Sequence, residues 1–148
     1  MATIKIKSGN DYLAKLQALE SGTDEIVKKA IYDGAGVVAD AIKAKIPGIP
    51  QTHHYILDDL EASFGISPIL QDQKGDWNAK IGFDGYGSHP TAKYPQGLPN
   101  QMMVRAIESG TSFRDKHPFV RPAVRQTQKA CEEAMENRID IETKKVMK

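Results

Sequence analysis

The chain opens on an alternation. Ile4 and Ile6 fall on one side and Thr3, Lys5 and Lys7 on the other, which predicts a short half-buried strand. Ser8-Gly9-Asn10 interrupts it, and Asn10 suits the cap of a helix in which Leu13, Leu16 and Leu19 recur, ending near Ser21-Gly22. Thr23, followed by Asp24 and Glu25, offers a second helix start, because acids in a first turn complement the helix dipole. The stripe Ile26, Val27, Ala30, Ile31, Val37, Val38, Ala41, Ile42 then persists until Pro47. Gly34 and Gly36 lie inside it, each costing up to about 1 kcal/mol against alanine. With Ala30, Ala35 and Ala39 beside them, they predict the close approach of another element.

Residues 47–54 read as a loop, and Tyr55 to Ser63 as a short helix or turn exposing Asp58, Asp59 and Glu61. Phe64 to Ser67 alternates and predicts a strand closed by Pro68, after which Gln71 to Asp76 is turn-like. Trp77, Ala79, Ile81 and Phe83 share one side of a further strand. From 84 to 100 the breakers Gly85, Gly87, Pro90, Pro95, Gly97 and Pro99 leave no periodic apolar face, and a loop this long in a compact domain is usually functional or disordered. Met102 to Ile107 reads as another strand, ending in the turn Ser109-Gly110-Thr111. Pro122 fits the first turn of a last helix, where no amide donor is needed. That helix is striped by Val124, Thr127, Cys131, Ala134, Met135 and Arg138, with Lys144, Lys145 and Lys148 near its end. The order β-α-α-β-β-β-α predicts an α+β fold. Its small antiparallel sheet of three to four strands would be packed by a long helix from the N-terminal half and by the C-terminal helix.

A length of 148 residues suits a single domain spanning 1–148. With 40% hydrophobic and 26% charged residues, wholesale disorder is not expected. The net charge of +1 gives no field drawing the whole molecule to nucleic acid or membrane. Its distribution says more: residues 1–50 carry +1, residues 51–100 carry −3 and residues 101–148 carry +3, an acidic middle and a basic C-terminal third. No apolar run approaches the roughly 20 residues of a membrane span, and the first residues lack the apolar core of a signal peptide; the expectation is a soluble protein made inside the cell. The single cysteine, Cys131, excludes an internal disulfide or a multi-cysteine zinc site.

Catalytic and cofactor signatures are scarce. The chain has no G-x-S-x-G elbow, no H-E-x-x-H pair and no Walker loop, and Gly85-x-Gly87 lacks the third glycine of a phosphate cradle. His53-His54 with Asp58, Asp59 and Glu61 is the one cluster that could hold a divalent metal and activate water, yet adjacent residues on an extended loop point apart. A solvated loop is the plainer reading, and His89 and His117, each before a proline, read the same way. Cys131 on an apolar stripe reads as a packed structural thiol. The run Arg105, Arg114, Lys116, Arg121, Arg125, Lys129, opposed only by Glu108 and Asp115, sums to +4 within 25 residues and suits a phosphate backbone. Only Phe113 and Phe119 interleave it, so base stacking is not indicated. A solvated face or an acidic protein partner explains the run equally well.

Leu60-Glu61-Ala62-Ser63-Phe64, the strand ending Gly82-Phe83, Glu108-Ser109-Gly110-Thr111 and Pro118-Phe119-Val120-Arg121-Pro122-Ala123 together resemble the tail-completion or neck protein family of long-tailed phages, the gene product ten-like tail components of lambdoid phages. Glu108 to Thr111 is similar to the family's E-x-G-T, and Pro118 to Ala123 to its R-P-F-[LV]-R-P-A. The resemblance spans nearly the whole chain, with two departures. Asp58-Asp59-Leu60 stands where the family has Thr-Gly-x-Leu, and the 84–100 loop is longer than usual.

The resemblance implies a structural component of the virion, made in the host cytoplasm and residing at the joint between head and tail. Its partners would be other neck and tail proteins and further copies of itself in a ring around the DNA channel, with non-specific contact to DNA, no membrane, no catalysis and no cofactor. The tail-terminator role at the same joint, a DNA- or protein-binding module outside the virion, and a metal-dependent hydrolase are the alternatives, the last the weakest. Candidate interface or channel residues are Arg114, Lys116, Arg121, Arg125, Lys129, Asp58, Asp59 and Glu61. Glu108, Gly110, Thr111, Pro118, Phe119, Arg121 and Pro122 form the structural motif, with Gly110 expected at positive φ and Glu108 expected to cap or pair near Arg121 or Arg125.

Overall fold

A computed structural model describes residues 7–50 and 52–147, with the side chains from Tyr12 onward. The expected first strand falls on residues 3–7; Thr3 to Ile6 lie outside the described residues, and Lys7 already belongs to a helix. That helix, α1 (Lys7–Lys45), runs unbroken through 39 residues into a single 3₁₀ turn at Ile46–Gly48. Asn10 and Thr23 both lie inside it rather than at a helix start. Ser21 Oγ donates to the Ala18 carbonyl and Thr23 Oγ1 to the Leu19 carbonyl. Those hydroxyls satisfy themselves on the preceding turn rather than starting a new helix, so two expected helices are one.

The α+β class is as expected, and the strands form two antiparallel ribbons. After α2 (His54–Ser63), β1 (Phe64–Ile66) pairs with β4 (Ile81–Phe83), and β2 (Leu70–Gln71) pairs with β3 (Trp77–Asn78). The expected strand over 77–83 is therefore broken at Ala79-Lys80. There Ser67 Oγ takes the Lys80 N–H at 2.8 Å and the Ser67 N–H donates to the Lys80 carbonyl. Asp72 closes the β2–β3 turn by accepting the amides of Lys74 and Asp76. Trp77 leans on α1, its Nε1 donating to Asp24 at 3.4 Å with the Lys28 ammonium 4.5 Å above the ring.

Met102 to Ile107 is not a strand but the heart of α3 (Asn100–Ser109). A six-residue segment with five apolar residues around Arg105 is too short to separate the two periods, and burial decides it: Asn100, Val104 and Ile107 are buried at helical spacing while Met102 is exposed. The Asn100 side chain donates to the Asp84 carbonyl and its amide to the Gly85 carbonyl, fixing where α3 begins. The last element, α4 (Val120–Met147), lies antiparallel to α1. Lys29 meets Glu142, Asp33 meets Arg138, and Gly34 meets Met135 and Cys131.

The core lies between the C-terminal half of α1, the start of α4, α2, α3 and one face of the β1–β4 ribbon. Ile42, Ile46, Leu60, Ile107 and Phe119 are its buried centre. Phe64 and Phe83 lie 5.0 Å apart across the ribbon, and Phe83 meets Phe119 edge-on at 6.2 Å, a geometry the ring quadrupoles favour.

Gly34 marks the helix crossing that the small-residue stripe predicts. A Cβ there would stand 2.7 Å from Met135 Cγ and 3.0 Å from Cys131 Sγ, whereas at Gly36 it would meet nothing within 4 Å. Gly34→Val should lower unfolding free energy by about 1–3 kcal/mol, the usual cost of overpacking. Gly36→Ala should be neutral or stabilising, and urea unfolding of both variants checks the pair.

Candidate functional site

The two motifs that carry the family resemblance meet at a single carboxylate. Glu108, in the last turn of α3, accepts the backbone N–H groups of Phe119 at 2.9 Å, Val120 at 3.0 Å and Arg121 at 3.0 Å. These are donors that the first turn of α4 leaves without partners of its own. A carboxylate there also meets the positive end of the helix dipole. Burial works to raise the Glu108 pKa. The three amides, Arg121 first among them, and the Arg121 charge outweigh it, and the group titrates below the ordinary 4.5.

Between the motifs the chain makes a pinned turn. Gly110 has φ +79° and ψ 167°, a combination open essentially to glycine alone, and a Cβ there would sit 2.9 Å from the Lys116 nitrogen. Thr111 and Arg114 bridge each other, and Thr111 Oγ1 accepts the Phe113 N–H. The Arg114 guanidinium donates to the Pro50 carbonyl at 3.2 Å and to Thr52 Oγ1. The His117 N–H returns to the Ile107 carbonyl at 2.7 Å. Phe113, at the tip, is 99% exposed.

The other expected residues separate by role. Arg121, Arg125 and Lys129 are exposed and recur every four residues on α4, a basic stripe on one side of the helix. Arg105 of α3 joins Arg121 at a groove of about 250 Å³ above Glu108. Lys116 is exposed, whereas Arg114 is spent on anchoring its turn. Pro118 is exposed, Phe119 is buried in the core and Pro122 lies in the first turn of α4. The acidic residues do not act together. Asp58 is exposed and Glu61 half-buried, while Asp59 accepts both the amide and the hydroxyl of Ser88 at 2.9 and 3.0 Å. That bond ties the 84–100 loop to α2.

Ser88 Oγ also shares a hydrogen bond with His89 Nδ1, 3.0 Å away. His89 stacks on Tyr55 at 3.7 Å, and His53 lies on the same ring at 5.6 Å. The base of the loop is closed by a bridge between Tyr86 and Pro99. Gly97 has φ +95° and stands so close to Gly87 that a Cβ would fall 2.1 Å from its carbonyl oxygen. Within 53–61, His53 is thus used in stacking and Asp59 in loop closure. Among the described residues, no group of three or more His, Cys, Asp or Glu is arranged to hold a metal ion. No described helix is long and apolar enough to cross a membrane.

One feature escapes the sequence pattern. Gly65 and Gly82 face each other across β1 and β4, on the side opposite the core phenylalanines, and floor a hollow of about 690 Å³. The sequence signal was two glycines inside apolar alternations, but only the pairing register makes them neighbours.

Glu108→Ala should cost about 2 kcal/mol at neutral pH, since it strips the cap from α4. Because the folded carboxyl titrates below the unfolded one, its contribution is complete above pH 4.5 and fades as pH falls through the folded value. The wild-type melting temperature should therefore fall more steeply than that of Glu108→Ala between about pH 5 and pH 3, which a calorimetric pH series checks. No protein-family model, curated protein or solved structure matches the chain.

Proposed function

We propose that this protein is a structural component of the head–tail joint of a long-tailed phage, a neck or tail-completion protein that assembles as a ring around the DNA channel. The observation that carries the reading is the Glu108 clamp. The E-S-G-T and P-F-V-R-P-A segments, which the resemblance treats as separate signatures, share one carboxylate hydrogen-bonded to three amides. What they build together is a rigid turn and a helix start, suited to holding surfaces in place for protein–protein contact. The Arg121, Arg125, Lys129 stripe supplies positive charge for a phosphate backbone or an acidic neighbour. Exposed Asp58, Asp72 and Asp76, from the acidic middle of the chain, offer negative charge to a neighbouring subunit or a stacked ring.

Interrupting the gene in its phage and viewing the lysate by negative-stain electron microscopy tests the reading. The expected result is filled heads beside unattached tails; tails of uncontrolled length would assign the terminator role at the same joint instead. Infectious virions in normal number would refute both. Charge pairing between subunits also predicts that assembly, followed by sedimentation, weakens as salt rises from 50 to 500 mM, roughly a threefold shortening of the screening length. Assembly indifferent to salt would remove the electrostatic part of the account.

A further inference from the structure

The hollow over Gly65 and Gly82 and the exposed Phe113 stand on opposite ends of α3. Gln101, in its first turn, lines the hollow, and the Phe113 turn follows its last residue, about 15 Å away by the helical rise. Neither feature is explained by the fold. Glycine weakens a strand interior unless a backbone or ligand must come close, yet a Cβ at Gly65 or Gly82 would meet nothing within 4 Å and neither residue has a positive φ. A phenylalanine 99% exposed on a turn pinned by Thr111, Gly110 and Arg114 is likewise unused within its own chain.

We propose that the two are halves of one contact: Phe113 of one copy seats on the Gly65–Gly82 floor of the next. This rests on the ring reading above and gives it an interface. The missing side chains leave a flat peptide floor on which a ring can lie, and the hollow holds a phenyl group together with the turn that carries it. Charge agrees at the rim. Lys80 precedes β4 and Asp84 follows it, both lining the hollow, while exposed Asp115 and Lys116 follow the knob, so rim and knob each carry one charge of either sign to pair with the other. Because knob and hollow are different surfaces, the contact is heterologous and repeats from copy to copy, which is how closed rings arise. The pinned turn means that little freedom is lost on docking.

The test uses the full chain with p-benzoylphenylalanine replacing Phe113, photolysed, and the cross-links mapped by mass spectrometry. Intermolecular links to 63–68 or 80–84 are expected. Gly82→Val, which fills the floor with a residue strands favour, should cut their yield about thirtyfold, as loss of a central anchor does, without lowering the melting temperature. Phe113→Asp and Gly82→Val chains should each sediment as monomers and, when mixed, form dimers and nothing larger, since each retains one good half. Cross-links mapping elsewhere on a second copy, or unchanged assembly of both variants, would overturn this contact and leave the ring reading standing. A chain that stays monomeric with no intermolecular link from position 113 would overturn both.

Discussion

The carboxylate of Glu108 joins parts of the molecule that sequence separates. It sits at the end of α3 and binds the first turn of α4, so the ten residues between them become a closed loop rather than a linker. Gly110 turns the chain at the base of that loop, and His117 returns it to α3. Phe119, two residues beyond, is thereby delivered to the core, where it meets Phe83 of the ribbon. Without that carboxylate, three donors at a half-buried helix start would lack partners, and the Phe113 turn would lose one of its supports.

The second frame is the long antiparallel pairing of α1 with α4. Its tight point is Gly34 against Met135 and Cys131, and its charged end is a cluster around Glu142. Burial raises the pKa of Glu142, but hydrogen bonds from Lys29 and Arg138 and the charges of Lys145 and Lys29 hold it below the ordinary carboxylate value. Arg138, bonded to Asp33 at 2.6 Å and to Glu142 at 3.3 Å, is held more firmly protonated by Asp33 above all. The β2–β3 ribbon leans on this frame through Trp77, and the Asp59–Ser88 bond ties the 84–100 loop to α2.

Where periodicity is long it reads correctly: the stripe from Ile26 to Ile42 and the stripe from Val124 to Arg138 are helical, and α2 and β1 fall at their expected places. Short segments failed for local reasons. Ser21-Gly22-Thr23 has the residues of a helix boundary, but hydroxyls that bond back to the preceding turn let α1 continue. Met102 to Ile107 is too short to separate the strand and helix periods; burial of Val104 and Ile107 makes the choice, and Asn100 reaching Asp84, a contact no local pattern encodes, fixes where the helix begins. The break at Ala79-Lys80 is imposed by Ser67, thirteen residues away. At the site, the cap by Glu108 was legible from a carboxylate and a following helix start. The engagement of Arg114 with Pro50 and Thr52, of Asp59 with Ser88, and the facing of Gly65 and Gly82 all depend on tertiary neighbours.

If this chain is a ring subunit at the joint, it belongs in the finished particle in several copies and in one place. Quantitative mass spectrometry of gradient-purified virions, with gold labelling of a tagged chain, measures both at once. The account predicts a fixed multiple of copies per particle and label confined to the junction of head and tail. Particles free of the chain, or label scattered over heads or tail fibres, would contradict it.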